Sequence, residues 1–111
     1  MGKTKFNKYE LYMGLNDKDT KTQKIDTLEA YKIVSNQVAQ RFDGGTVFNA
    51  SGVYKHEDGT VVIENTLKIE IILFDESMKE SNVKEFVDYL KTTFNQESIA
   101  VQHSKVTSNL W

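Results

Sequence analysis

Polar and apolar residues alternate strictly at the start of the chain. Tyr9, Leu11 and Met13 are separated by Glu10 and Tyr12, the period-2 pattern of a strand with one buried face. The period then changes. Asp26 with Glu29 forms a reciprocal start signal for a helix of about 16 residues. Its apolar stripe is Leu28, Tyr31, Val34, Val38 and Phe42, and it stops at Asp43-Gly44-Gly45. Thr46 to Lys55 reads as a second strand, Glu57-Asp58-Gly59 as a hairpin turn whose glycine supplies positive φ, and the chain from Thr60 as the antiparallel return. Leu67, Ile69, Ile71 and Leu73 line one face of the stretch Leu67 to Phe74, which predicts the central strand.

A second helix is expected from Asn82 and Glu85 onward, because Val83, Phe86, Val87, Leu90 and Phe94 recur at helical spacing. Ile99 and Val101, alternating with Ala100 and Gln102, predict a last strand. The order βαββαβ is that of an α+β, ferredoxin-like fold: an antiparallel sheet with two helices on one face. The other face would carry Glu10, Tyr12, Lys68, Glu70, Ile72, Phe74, Ala100 and Gln102, an apolar and aromatic surface rimmed by charge, which marks a contact site for a ligand or a second subunit.

With 111 residues and no proline, repeat or linker-like tract, the chain suits one domain, residues 1–111, with residues 1–7 as a flexible N-terminal segment. It has no cysteine, which excludes disulfides, thiolate metal sites and a cysteine nucleophile, and makes a reducing cytoplasm the simpler reading. No apolar run is long enough to span a membrane. A net charge of −2 with interspersed signs argues against binding DNA or RNA. Thirteen lysines stand against the single Arg41, with eight asparagines, a bias that fits an AT-rich bacterial or phage genome.

The charged stretch "YMGLNDKDTKTQKID", Tyr12 to Asp26, invites comparison with a calcium loop. With Asp17 and Asp19 at positions 1 and 3, Lys21, Thr22 and Leu28 occupy positions that need a ligand, a glycine and a closing acid, so the comparison fails and no metal site is expected. His56 and His103 have no metal-ligand spacing around them, and no nucleophile elbow or phosphate loop is present. The sequence therefore predicts no enzyme and no cofactor. The sequon Asn49-Ala50-Ser51, inside a strand, is read as chance.

Three stretches, "ELYMGLNDKDT" at Glu10 to Thr20, "RFDGGTV" at Arg41 to Val47 and "FNQESIAV" at Phe94 to Val101, resemble a widespread family of small bacterial and phage domains of unknown function. Within that space the size, the Lys/Asn bias and the "GLNDKDT" loop resemble the phage anti-Thoeris sponges. That resemblance implies a cytoplasmic homo-oligomer that holds a cyclic ADP-ribose-type nucleotide at subunit interfaces without cleaving it, and so blocks a host antiviral defence.

Such a ligand asks for cations and amide donors for its phosphates and an aromatic face for adenine. Arg41, Lys68, Lys24, Lys21 and Lys105 are the phosphate candidates; Tyr12, Phe74 and Tyr54 offer stacking faces; Asn16, Asn95 and Gln96 offer hydrogen bonds to edges or ribose. Each has a structural alternative. Arg41 can serve the helix dipole, Lys68 can pair with Glu70 or Glu10, Phe74 can be core, and Gln96-Glu97-Ser98 can be a turn closing the second helix. Leu110-Trp111 is expected to be covered by the chain's own core or by a neighbour. A dimeric ferredoxin-like module with a protein partner or a structural role is the alternative function, and a dimeric α+β-barrel enzyme a third.

Overall fold

The computed structural model describes residues 4–111. Its order is β1 (Lys5–Gly14), α1 (Thr27–Phe42), β2 (Thr46–Lys55), β3 (Val61–Leu73), α2 (Glu80–Thr93) and β4 (Ala100–Thr107). The strands form one antiparallel sheet in the order β2-β3-β1-β4, and the fold is α+β and ferredoxin-like, as the hydrophobic pattern predicts. Lys5 to Asn7, expected in a flexible segment, belong to β1 and pair with β4. Of the rest of that segment, residues 1–3 lie outside the described residues.

The pairing of Leu11 with Ile69 and Met13 with Leu67 places the odd-numbered residues of β1 and β3 on the helix side. There Tyr9, Leu11, Met13, Leu67, Ile69, Ile71 and Leu73 are buried against Ala30, Val34, Val38 and Phe42 of α1 and Val83, Phe86, Leu90 and Phe94 at α2. Leu28 and Tyr31 depart from the expected stripe: Leu28 is 60% exposed and Tyr31 also faces solvent. The buried positions 30, 34, 38 and 42 follow one i, i+4 ridge, which leaves Leu28 and Tyr31 on its flank. Ala30 takes the contact position because a small side chain allows helix and sheet to approach closely.

Asp26 caps α1 by accepting from the Leu28 backbone N–H at 3.2 Å. At the far end Asp43, not a glycine, takes the left-handed conformation (φ 62°). Gly45 has a different role. A Cβ there would lie 2.7 Å from Val38 Cγ1 and 2.8 Å from the Glu70 carbonyl oxygen, so the turn can pack against the sheet only without a side chain. The start of α2 also differs from the expectation. Lys79 is the N-cap, and Asn82 sits at the third helical position, where its side-chain oxygen accepts the Lys79 N–H at 2.8 Å. The hairpin turn is as expected: Gly59 has φ 91° and the His56 N–H donates to the Thr60 carbonyl at 2.9 Å.

Candidate functional site

The open sheet face collects Lys8, Glu10 and Tyr12 from β1, Lys68, Glu70 and Ile72 from β3, and Thr46 and Phe48 from β2. Glu10 and Glu70 are directly paired, an arrangement that is repulsive by itself. Two lysines resolve it. Lys68 Nζ lies 3.3 Å from both Glu10 Oε1 and Glu70 Oε2, and Lys8 Nζ lies 3.6 Å from Glu10 and 3.4 Å from Glu70. The result is a half-buried square of alternating charge. Glu70 first, and Glu10 with it, raise the Lys68 pKa and keep the ammonium charged. Its nitrogen also sits 5.6 Å from the Tyr12 ring centroid and 5.4 Å from that of Phe48, within cation–π reach of both. Beside them the Tyr12 hydroxyl is 3.5 Å from Gln102 Oε1.

Lys8 and Phe48 were not among the sequence candidates. A period-2 signal extended two residues upstream of Glu10 brings in Lys8, and the alternation of β2 brings in Phe48. The pairing alternative for Lys68 is the observed one.

A second group of candidates meets at the end of the sheet near Tyr12, where the β1–α1 loop lies against the α2–β4 connection. Asp17 organises it. Its carboxylate accepts the backbone N–H groups of Thr20 (3.0 Å) and Asp19 (2.9 Å) and the Asn95 amide (2.9 Å). Those donors, the Thr20 N–H foremost and then Asn95, hold its pKa far below the ordinary carboxylate range, with Lys24 adding attraction. Asn95, at φ 48°, gives its amide to Asp17 and to Asp19 (2.8 Å) while its carbonyl accepts the Lys18 N–H (3.0 Å). Gln96 Nε2 donates to the Asn16 carbonyl at 2.7 Å, and the Asn16 N–H donates to Glu64 at 3.0 Å. Lys21 turns its ammonium onto the Lys18 carbonyl. Asn95 and Gln96 are thus committed to joining two loops. Lys24 lines a hollow of about 150 Å³ with Leu15, Asp17, Ile25, Thr93, Phe94 and Asn95.

The remaining candidates lie apart from both groups. Arg41 donates from Nε to Gln37 at 2.9 Å and lays its guanidinium over Tyr89 (5.0 Å) and Phe86 (5.7 Å), so it bridges α1 and α2 on the helix side, away from Tyr12 and Lys68. Phe74 follows β3 at the opposite end of the sheet; it is 39% exposed, not core, and packs on Phe6 with ring centroids 4.9 Å apart. It borders a cavity of about 470 Å³ whose lining includes Asp43, Glu70, Asp75, Ile72, Met78 and Leu110. Among the described residues no lysine or arginine lines that cavity, so it offers a phosphate no cationic side chain. Tyr54 is on the β2–β3 ribbon, edge-on to His56, and Lys105 is on β4 opposite Asn7. His103 stacks on Tyr9 and bonds Asn7 at 2.8 Å. Among the described residues no group of three or more His, Cys, Asp or Glu side chains is placed to hold a metal.

The motif glycine of "ELYMGLN" now has a physical cause. A Cβ on Gly14 would fall within 2.8 Å of the Glu64 carboxylate, whose space is needed for the bond to Asn16. With Gly45 at the turn and Asn95 and Gln96 at the loop junction, several of the quoted motif residues have structural roles. Residues 8–110 match the family model described as "Protein of unknown function (DUF3574)". The chain belongs to that family.

No curated protein sequence matches this DUF3574 member. Among solved structures it is similar to a phage SAM lyase in complex with S-methyl-5'-thioadenosine, with a TM-score of 0.62 at 22% identity over 96% of this chain and 92% of that one. It is also similar to the apo phage enzyme (TM-score 0.58, 22% identity, 96% and 93% covered) and to CutA from Synechococcus elongatus (TM-score 0.59, 8% identity, 96% and 81% covered). At these identities the likeness establishes the fold. Among the described residues no helix is long and apolar enough to cross a membrane.

Proposed function

We propose that this DUF3574 member is a phage-derived, non-enzymatic protein that sequesters an adenine-containing signal of the cyclic ADP-ribose type in the host cytoplasm, at sites completed by a second copy of the chain. The observation that carries the reading is the Tyr12–Lys68–Phe48 arrangement on a sheet face that neither helix covers. An adenine needs a flat aromatic partner, and Tyr12 and Phe48 offer two on one uncovered face, with Lys68 between them held by Glu10 and Glu70. Gln102, beside the Tyr12 hydroxyl, supplies an amide for the base edge. A fold in common with a phage protein solved with an adenine thionucleoside adds support.

One copy alone does not enclose such a ligand. The hollow at Lys24 is about 150 Å³, below the roughly 300 Å³ at which small-molecule sites begin. The larger cavity is rimmed by carboxylates. In this reading the phosphate donors come from a neighbour, whose exposed Lys18, Lys21 and Lys24, on the loop at the Tyr12 end of the sheet, are the candidates.

A second reading, a lyase acting on SAM, draws on the fold likeness and on the Glu10 and Glu70 carboxylates beside aromatic rings, which suit a sulfonium cation. One experiment separates the two. The protein is titrated calorimetrically with cyclic ADP-ribose and with SAM, and the small molecules are then recovered by denaturation and weighed by mass spectrometry. The sponge reading expects intact cyclic ADP-ribose, with affinity reduced at least tenfold by Tyr12→Ala and by Lys21→Ala with Lys24→Ala, at unchanged circular dichroism. Conversion of SAM to S-methyl-5'-thioadenosine overturns it in favour of the lyase. Binding of neither molecule overturns both and leaves the protein-interaction module.

A further inference from the structure

The β2–β3 ribbon runs beyond the body of the fold. β1 pairs with β3 only as far as Gly14 opposite Thr66, whereas β2 and β3 continue to pair with each other through Lys55 opposite Val61. The molecule is accordingly 54 Å long and only 28 by 24 Å across. On the helix side of this arm the register sets Val53 beside Ile63, with Val61 next along. The three are 66%, 69% and 60% exposed, since no helix reaches over them. A two-stranded ribbon is marginal in water, and β-branched residues on its bare face leave it short of a partner.

The opposite edge of the sheet has the complementary shape. β4 pairs with β1 on one side and offers an unpaired ladder on the other. Between β4 and α2 runs an apolar groove of about 450 Å³, lined by Tyr9, Val83, Val87 and Val101 and flanked by Glu80, Lys84 and Asp88. The arm carries charges of the matching kind: Lys55 at its base end of the turn, and Glu57 and Asp58 at its tip.

We propose that the arm of one copy docks on the β4–α2 edge of the next, with the outer edge of β2 extending the neighbour's sheet and Val53 entering the groove beside Val101. Strand alternation enforces the match. If β2 continues the neighbour's sheet with the helices on the same side, every helix-side residue of the arm lies on the side where the groove opens. Lys55 then meets one of Glu80 and Asp88, and the acidic tip meets Lys84, one helical turn away. The two surfaces differ, so the contact is head-to-tail and is satisfied at every copy only in a closed ring. This assigns the surfaces of the assembly invoked above, and it stands or falls without any ligand.

Light scattering on the ligand-free chain at micromolar concentration is expected to give one discrete multiple of 12.7 kDa. Val53→Glu disables the arm and Val101→Lys disables the groove. Both sites are exposed, and circular dichroism of each variant is expected to match the parent. Each variant alone should be monomeric, and an equimolar mixture should form a complex of twice the monomer mass, because one intact arm still meets one intact groove. A monomeric parent overturns the proposal. So does a Val101→Lys variant that assembles like the parent, which would indicate arm-to-arm contact, and so does a mixture that stays monomeric.

Discussion

Asn95 separates a structural role from a ligand-reading one, and replacing it with alanine and with glycine tests which it has. Its amide makes two hydrogen bonds, to Asp17 and Asp19, that tie the β1–α1 loop to the end of α2. At a half-buried position these contribute about 1 kcal/mol each. Its φ of 48° adds a second effect, because a residue with a Cβ and no local hydrogen bond to offer loses about 1 kcal/mol in the left-handed region. Asn95→Ala should therefore cost about 3 kcal/mol and Asn95→Gly about 2 kcal/mol, the glycine sparing the backbone strain. For a domain of this size the alanine variant should melt about 12 °C lower. Thermal and urea unfolding followed by circular dichroism supply both numbers. An alanine variant melting within 2 °C of the parent would refute the junction role, and the amide would then be free to serve a ligand.

The core was legible in the sequence because its signals are redundant. Leu67, Ile69, Ile71 and Leu73 alternate, Phe86, Leu90 and Phe94 repeat at helical spacing, and each set needs the other to be buried. Boundaries that rest on one residue were less secure. Ala30 is nearly invisible to hydrophobic patterning, so the face of α1 was drawn towards Leu28 and Tyr31. Asn82 looks like an N-cap from its neighbours, yet its side chain works one turn in. The candidate site was legible by residue type and not by place. Lys68 and Tyr12 do share a face, as strand alternation requires, but which carboxylates hold Lys68 depends on register with β1. Asn95 and Gln96 were singled out for hydrogen-bonding power, and that power is spent on the Asp17 loop, 78 residues away for Asn95. No local pattern encodes such a pairing. Arg41 lies in the helix layer, so the sheet stands between it and Lys68.

Two further expectations concern the core and the Asp17 loop. Leu90 is fully buried, so Leu90→Ala should lower the unfolding free energy by about 2–5 kcal/mol in urea titrations, and a loss below about 1 kcal/mol would mean that the buried face of α2 is misassigned. The Asp17 carboxyl predicts a pH signature. Folding depresses its pKa through the Thr20 N–H and the Asn95 amide, so the native state binds the proton less readily than the unfolded chain, whose aspartates titrate near about 3.9. Its stabilising contribution is then complete above that value and fades as the pH falls below it towards the depressed native pKa. Asp58 and Asp75, lowered by Thr60 and Ser77, respond in the same direction, so acid sensitivity of the parent alone does not isolate Asp17. The difference between the parent and Asp17→Asn does, since the other carboxylates are common to both. The stability gap between them should be constant from pH 8 to about pH 5 and should narrow steadily below about pH 4. A gap that stays level down to pH 2.5 would mean that the loop is held by the shape of the Asp17 side chain and not by its charge.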